Sequence, residues 1–365
     1  MKITAAVTHE KDTEFQIENV ELDDQPKVGE VLVQLVATGI CHTDISASKQ
    51  NLGNPLPAVL GHEGAGIIKQ VGEGVKNVQV GDHVVMSYSS CGRCENCLTG
   101  HLYACERMAE LNFEGAMEDG TYRLHQNGQH LAHFFGQSSF GTYAIVNERN
   151  LVKVDKDVDL RLLAPLGCGI QTGAGAVLNT FQVPAGSSIV IFGSGTVGMS
   201  ALMAAKVAGC TTRIIVDIHN NRLELGKELG ATHVINSKEV NAIEEIKNIT
   251  KTGVDFAIET TGVPAVLRQA VESVTFMGKV GIIGAPKANT DVHLDVNDMI
   301  MSAKSVSGIL QGSSIPQVFI PKLIELYKQG QFPFDKLFNF YSFNEINQAV
   351  SDSGSGKTLK PILTF

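Results

Sequence analysis

The sequence predicts a two-domain α/β fold, a β-rich domain followed by a doubly wound parallel sheet, and three observations predict it. At 365 residues the chain exceeds one ordinary domain and falls short of three. Up to about residue 160 the pattern is short β-branched runs broken by Gly and Asp, whereas from residue 188 strand-like and helix-like segments alternate. A glycine run, GSGTVG at 193–198, then joins the first alternating strand to its helix.

In the first part, residues 31–36 (VLVQLV) and 83–86 (HVVM) read as strands of an irregular barrel-like domain. In the second, strands are expected at 188–192, 213–217, 233–236, 255–259 and 279–284, with helices at 196–208 and 221–229. After about residue 312 the alternation stops, leaving a helix at 320–329 and a closing strand at 360–365. The expected division is 1–169, 170–312 and 313–365, with the short, irregular tail returning to the first domain.

Composition narrows the function. Hydrophobic residues make up 43% and charged residues 18%, as in soluble globular proteins. The net charge of −9 excludes a bulk phosphate-binding face and so argues against nucleic acid. No apolar run reaches the ~18 residues that span a bilayer. His9, Glu10, Lys11 and Asp12 interrupt any signal-peptide core, so a cytoplasmic location is expected. Seven cysteines, an odd number, make a poor disulfide framework, and clustered thiols in a reducing compartment point to metal. Cys210 is assigned to packing.

The glycine run has the context of a dinucleotide site, because it follows a buried strand, opens a helix and has Asp217 at the end of the next strand. Gly193 permits the tight turn, Gly195 lets backbone approach a pyrophosphate, and Gly198 lets helix pack on strand. The helix N-terminus adds free N–H groups and a positive dipole. Thr196 and Val197 within the run, and Ile283 at the end of a later strand, complete the candidate cofactor residues. Asp217 would accept hydrogen bonds from both ribose hydroxyls and repel a 2′-phosphate, favouring NAD over NADP, although Arg222 lies close in sequence. The run GSGKT at 354–358 is rejected as a P-loop: Ser351 stands where the motif needs glycine, and no helix follows before the chain ends.

Two metal signatures stand out. Cys91, Cys94, Cys97 and Cys105 place four thiols within 15 residues, enough to close a tetrahedral zinc site with no open position. Cys41, His62 and Cys168 offer a dispersed set of three N/S ligands, which would leave a fourth position for water or substrate. Spacing alone does not decide the second set, because a lone Cys is usually a small buried hydrophobe and His62 fits a core histidine as well. Glu63 follows His62, but the second His of an H-E-x-x-H metalloprotease site is absent.

With these features in order, the chain resembles the zinc-containing medium-chain alcohol dehydrogenases along its whole length, and within them the bacterial benzyl (aryl) alcohol dehydrogenases. Residues 37–44 (ATGICHTD), 55–63 (PLPAVLGHE), 165–175 (PLGCGIQTGAG) and 332–335 (FPFD) carry the resemblance. It implies a GroES-like catalytic domain with a Rossmann NAD-binding domain inserted in it and an active-site cleft between them. It implies two Zn2+ ions per chain, a catalytic one on Cys41, His62 and Cys168 and a structural one on Cys91, Cys94, Cys97 and Cys105. Thr43 then matches the hydroxyl that takes the alcohol proton, Asp44 the carboxylate that orients the zinc-bound histidine, and Glu63 the acid behind the metal. His42 and Lys360 match contacts to the cofactor pyrophosphate. Many members carry a histidine where this chain has Ser46, so proton exit falls to water, the cofactor ribose or His42.

The resulting expectation is reversible NAD-linked oxidation of primary aromatic or allylic alcohols to aldehydes by a homo-oligomer, dimer or tetramer. Leu52, Leu56, Tyr88 and Phe140 are candidate pocket residues. The alternatives are a glutathione-dependent formaldehyde or short aliphatic alcohol dehydrogenase, a zinc-stabilised nucleic-acid-binding protein, and a thiol redox sensor.

Overall fold

The structure, a computed structural model, describes residues 1–365. It divides into two compact units. The first comprises Met1–Cys168, Ile315–Lys322 and Asp335–Phe365, and the second Gly169–Ser314 and Leu323–Phe334.

The first unit is built on two sheets. One joins Ala58–Val59, Lys2–Thr8, Gln16–Leu22, Leu124–Gln126 and Gln129–Leu131 in that order. The other runs Leu151–Val154, His83–Met86, Gly64–Val71, Glu30–Gly39, Lys360–Thr364, Phe338–Ser342, with Tyr143–Asn147 also on Glu30–Gly39. Glu30–Gly39 alternates Val, Leu and Ala with few polar breaks and is buried on both faces, as suits a central strand. It pairs antiparallel with Gly64–Val71, Thr38 opposite Gly64, and with the C-terminal strand, Gly39 opposite Ile362. Three strand ends therefore meet where Cys41, His62 and Lys360 enter or leave the sheet. Phe15, Leu60, Phe134, Phe135 and Phe140 are among the buried residues of the adjoining core.

The second unit is a six-stranded, all-parallel sheet. Its order is His233–Asn236, Thr212–Asp217, Ser188–Phe192, Val254–Glu259, Val274–Ile282, Ser305–Gly308, which in chain order is 3-2-1-4-5-6. That is the Rossmann arrangement, whose order reverses beside the first strand and leaves a ligand crevice at the carboxyl ends. Ser188–Phe192, expected from its unbroken apolar run, is central, and helix Thr196–Val207 follows it. No helix is long and apolar enough to cross a membrane.

The segment Gly169–Gly175 is helical despite three glycines, and continues as a π-helical turn over Ala176–Thr180. Propensity disfavours this, and packing overrides it. A Cβ on Gly173 would strike the Val197 carbonyl, and one on Gly175 the Gly312 carbonyl. Only glycine lets these backbones approach so closely.

Candidate metal and cofactor sites

The dispersed ligands converge. Cys41, His62, Glu63 and Cys168 bring ligand atoms within 4.8 Å of one another, although His62 and Cys168 are 106 residues apart. Cys41 precedes helix His42–Ser48 directly after the Glu30–Gly39 strand, and His62 leads into Gly64–Val71, so the antiparallel register sets them side by side. Gly39 N–H donates to the Glu63 carbonyl at 3.0 Å, closing that corner. Cys168 arrives from the other side, where the Ser87 hydroxyl donates to the Gly167 carbonyl at 2.7 Å.

Asp44 organises the cluster. One carboxylate oxygen accepts from Cys41 N–H at 2.9 Å, and the other from Gly61 N–H at 3.2 Å and His62 Nδ1 at 2.7 Å. Both Asp44 and His62 are buried. With Nδ1 against Asp44, the imidazole turns Nε2 to Cys168 Sγ, 3.3 Å away, and against the pull of burial the Asp44 carboxylate holds the His62 pKa well above its ordinary value. Phe135 stacks on the His62 ring at 4.5 Å and Phe134 meets it edge-on at 5.7 Å.

The charges around this cluster are strongly coupled. A hydrogen bond from Cys168 holds the Cys41 thiol well below its ordinary range, against burial and with help from Lys360 and His62. The same bond, with burial, pushes Cys168 up. Burial raises Glu63 to about 7 although Lys360 opposes it. Glu63 forms an ion pair with Lys360, whose ammonium also donates to the Ile40 carbonyl at 3.0 Å. Lys360 is 2% exposed, so its charge is tied up inside the first unit. His42 is exposed, and Thr43 Oγ1 stands 3.6 Å from Cys41 Sγ.

The second cluster is local. Cys91, Cys94, Cys97 and Cys105 bring their sulfurs within 4.8 Å of one another, with Cys91 and Cys97 3.9 Å apart. Tetrahedral Zn–S bonds of 2.3 Å place sulfurs roughly 3.8 Å apart, so the thiols are spaced for the ion. N–H groups of Arg93 and Cys94 point at Cys91 Sγ at 3.5 and 3.3 Å, and that of Cys91 at Cys105 Sγ at 3.3 Å. All seven cysteines are free thiols. Both donor sets fit zinc: four sulfurs with no place for substrate, and two sulfurs with one imidazole, which leaves one.

In the second unit, Gly193 takes φ +97, a Cβ on Gly198 would collide with the Gly193 carbonyl, and at Gly195 a Cβ would meet nothing within 4 Å. Gly195 thus leaves room for a phosphate at the start of helix Thr196–Val207. Asp217 ends its strand and accepts from Ser194 N–H at 2.7 Å and Ser194 Oγ at 2.5 Å, and from Ile218 and His219 N–H at 2.7 and 3.0 Å. Burial would raise its pKa, but these donors outweigh it and keep the carboxylate ionised. Arg222 Nε is buried with no partner, and Ile283 N–H donates to the Glu259 carbonyl at 2.9 Å.

Sequence reasoning missed several of these residues. Ser194 carried no signal beyond its place between two glycines, and Phe134 and Phe135 carried none. Two of the candidate pocket residues turn inward instead: Phe140 is fully buried edge-on to Phe15 at 5.6 Å, and Tyr88 is buried in the same core.

A fold of this order, carrying one closed thiol cluster and one open ligand set, defines the zinc-binding medium-chain alcohol dehydrogenases, and the chain belongs to that family. Residues 27–156 match the alcohol dehydrogenase GroES-like domain and residues 196–329 the zinc-binding dehydrogenase domain. The chain is 40% identical to a geraniol dehydrogenase of Castellaniella defragrans, over 99% of this chain and 97% of that one. Among solved structures it is similar to an alcohol dehydrogenase zinc-binding domain protein from Burkholderia ambifaria, with 51% identity and TM-score 0.98, covering 100% and 99% of the two chains. It is equally similar to a benzyl alcohol dehydrogenase from Acinetobacter calcoaceticus, with 50% identity and TM-score 0.97 over 100% and 99%. The protein is a zinc-dependent alcohol dehydrogenase.

Proposed function

We propose that the protein oxidises primary aromatic or allylic alcohols to aldehydes, reversibly, with NAD as hydride acceptor. The observation that carries this is the open ligand set of Cys41, His62 and Cys168, with the Thr43 hydroxyl beside it, in a chain about half identical to a benzyl alcohol dehydrogenase. The 40% identity to a geraniol dehydrogenase extends the substrate class to allylic alcohols.

Cys41, His62 and Cys168 would hold the catalytic zinc, and Cys91, Cys94, Cys97 and Cys105 the structural one. When bound, the catalytic ion supplies Lewis acidity to an alcohol or carbonyl oxygen, and the nicotinamide supplies the hydride acceptor. Thr43 takes the hydroxyl proton by hydrogen bond. Asp44 keeps the His62 proton on Nδ1, so that Nε2 keeps its lone pair. Gly193, Gly195, Thr196, Val197 and Gly198 shape the pyrophosphate cradle, with Asp217 beside the ribose and Arg222 and Ile283 near the nucleotide. His42, exposed on the helix that follows Cys41, lies at the position the family uses against the cofactor pyrophosphate, and buried Lys360 balances Glu63. With Ser46 in place of a histidine, the proton leaves through water, the ribose or His42.

Phe134 and Phe135 pack on the His62 ring from the buried core, and the half-buried Leu52 and Leu56 are the pocket candidates that remain. Apolar burial is worth roughly 25 cal/mol per Å2, so a phenyl group in place of a methyl gains a few kcal/mol. Comparing kcat/KM for benzyl alcohol, cinnamyl alcohol, geraniol and ethanol with NAD tests the reading. Aryl and allylic alcohols should lead by a hundredfold or more, roughly 3 kcal/mol. Parity of ethanol with benzyl alcohol would overturn it, and strict dependence on glutathione with formaldehyde would favour that alternative.

A cytoplasmic homo-oligomer completes the proposal. The edge strand Ser305–Gly308 and the exposed Met277, Ile300 and Met301 support self-association, which sedimentation measures directly.

A further inference from the structure

We infer that Gln137 is a positioning residue for the catalytic zinc site, tying the His62 and Cys168 branches together through one buried amide. The inference rests on Cys41, His62 and Cys168 being the ligands of that site.

Gln137 is 1% exposed. Its Nε2 donates to the His62 carbonyl and to the Ser87 carbonyl, each at 3.1 Å, and its Oε1 accepts from Gly64 N–H at 3.2 Å. A single side chain thus holds the backbone on both sides of Glu63 and reaches across to the end of strand His83–Met86. From there Ser87 Oγ donates to the Gly167 carbonyl, one residue before Cys168. The amide and the hydroxyl form one chain of buried hydrogen bonds between two ligands that are 106 residues apart.

The backbone around Gln137 is shaped for this purpose. Phe135, Gly136 and Ser138 have φ of 53, 58 and 50, so two non-glycine residues lie in the left-handed region next to it. Such conformations cost of order 1–3 kcal/mol each and persist where surrounding contacts over-determine them, commonly at functional sites. Here the segment is fastened along Leu60–Gly64: Ser139 N–H donates to the Gly61 carbonyl and Phe140 N–H to the Leu60 carbonyl, both at 3.0 Å. The same turn lays Phe135 on the His62 ring. Two of the three directed bonds of Gln137 go to peptide groups within two residues of His62, and the third goes to Ser87, whose hydroxyl reaches Gly167 beside Cys168.

Groups that orient metal ligands typically change affinity by 10–100-fold when lost. Gln137→Met keeps the length and removes both donors and the acceptor. Ser87→Ala, a smaller change, cuts only the link to Gly167. In the full-length zinc-loaded enzyme, zinc transfer to a colorimetric chelator should show one fast and one slow ion per chain. Gln137→Met should speed release of the catalytic ion 10–100-fold and Ser87→Ala less, with the slower ion unchanged in both. Cobalt(II) in the catalytic site should show shifted d–d absorption in both variants. Lowered thermal stability with wild-type release and wild-type cobalt spectra would overturn the inference and leave Gln137 a packing residue. Should Gln137→Met fail to fold, Ser87→Ala decides by the same two measurements. A wild-type enzyme holding a single zinc would overturn the ligand assignment, and this inference with it.

Discussion

The Asp44 carboxylate lies 2.7 Å from His62 Nδ1 and also closes the helix start at Cys41, so one buried acid orients two candidate zinc ligands. Asparagine there retains one acceptor oxygen in place of two and presents an N–H₂ to groups that themselves donate. Asp44→Asn should therefore weaken binding of the catalytic zinc by 10–100-fold. Dialysis against graded chelator, followed by metal analysis, measures it, and the structural zinc should stay bound. Unchanged retention would show that Asp44 only caps the helix.

The two zinc sites should separate by mutation. Cys97→Ala opens a closed four-thiolate cluster whose ion contributes to folding, so the unfolding temperature should drop by many degrees. Cys168→Ala should leave the fold near its wild-type stability while turnover falls below detection. Metal analysis should find close to two zincs in the wild type and one in Cys168→Ala. Full activity with one zinc in the wild type would refute the two-site assignment.

What could be read in the sequence was what is local. Cys91 to Cys105 lie in one short stretch, and the glycine loop sits between a strand and a helix, so spacing carries the geometry in both cases. Strands 83–86 and 233–236 appear where the β-branched runs place them. Cys41, His62 and Cys168 could be paired only through the family resemblance. What joins them is strand register, Thr38 opposite Gly64, and a hydroxyl on a distant carbonyl, neither of which has a sequence period. Gln137 and Ser194 were invisible for the same reason, since their partners are peptide groups and a carboxylate set by the fold. The glycine-rich helix Gly169–Gly175 went unread because propensity points to a turn and close backbone packing decides otherwise.

His133 should make the protein less stable in mild acid. It is buried, its Nε2 accepts from Arg123 N–H at 2.9 Å, and Nδ1 has no partner. Burial, followed by the charges of Arg123 and His125, pushes its pKa down to about 3. The unfolded chain binds this proton near pH 6.5 and the native protein does not until about pH 3, so stability falls as pH drops between them. From pH 7 to 5 the loss is about 2 kcal/mol. His133→Gln keeps an acceptor for Arg123 and cannot titrate. Urea unfolding at both pH values should show a pH dependence smaller by that amount, and equal slopes in the two proteins would remove His133 from the account.

Asp217 should set cofactor choice. Its carboxylate is ionised and held at the end of the second Rossmann strand by Ser194, Ile218 and His219. A hydrogen bond to a charged group is worth roughly 1.5–3 kcal/mol, so Asp217→Ser should raise the KM for NAD by about 10–100-fold. The same change removes the repulsion against a 2′-phosphate and should narrow the gap between NAD and NADP. A wild-type enzyme that used NADP as well as NAD would be inconsistent with this role.

Thr43 should matter to proton transfer and leave metal binding alone. Its Oγ1 stands 3.6 Å from Cys41 Sγ, on the helix that begins at the ligand, and its side chain is only half-buried. It lies beside the ligand set without contributing an N/S donor of its own. General acid–base groups typically contribute 10²–10⁴-fold, so Thr43→Ala should lower kcat by about 10²-fold or more. Zinc content should stay at the wild-type value, because Cys41, His62 and Cys168 are untouched. Thr43→Ser keeps the hydroxyl and loses only a methyl, so it should retain most of the activity. The pair of variants separates the hydroxyl from the methyl: equal losses in both would assign Thr43 to packing, and full turnover in the alanine variant would remove it from the mechanism.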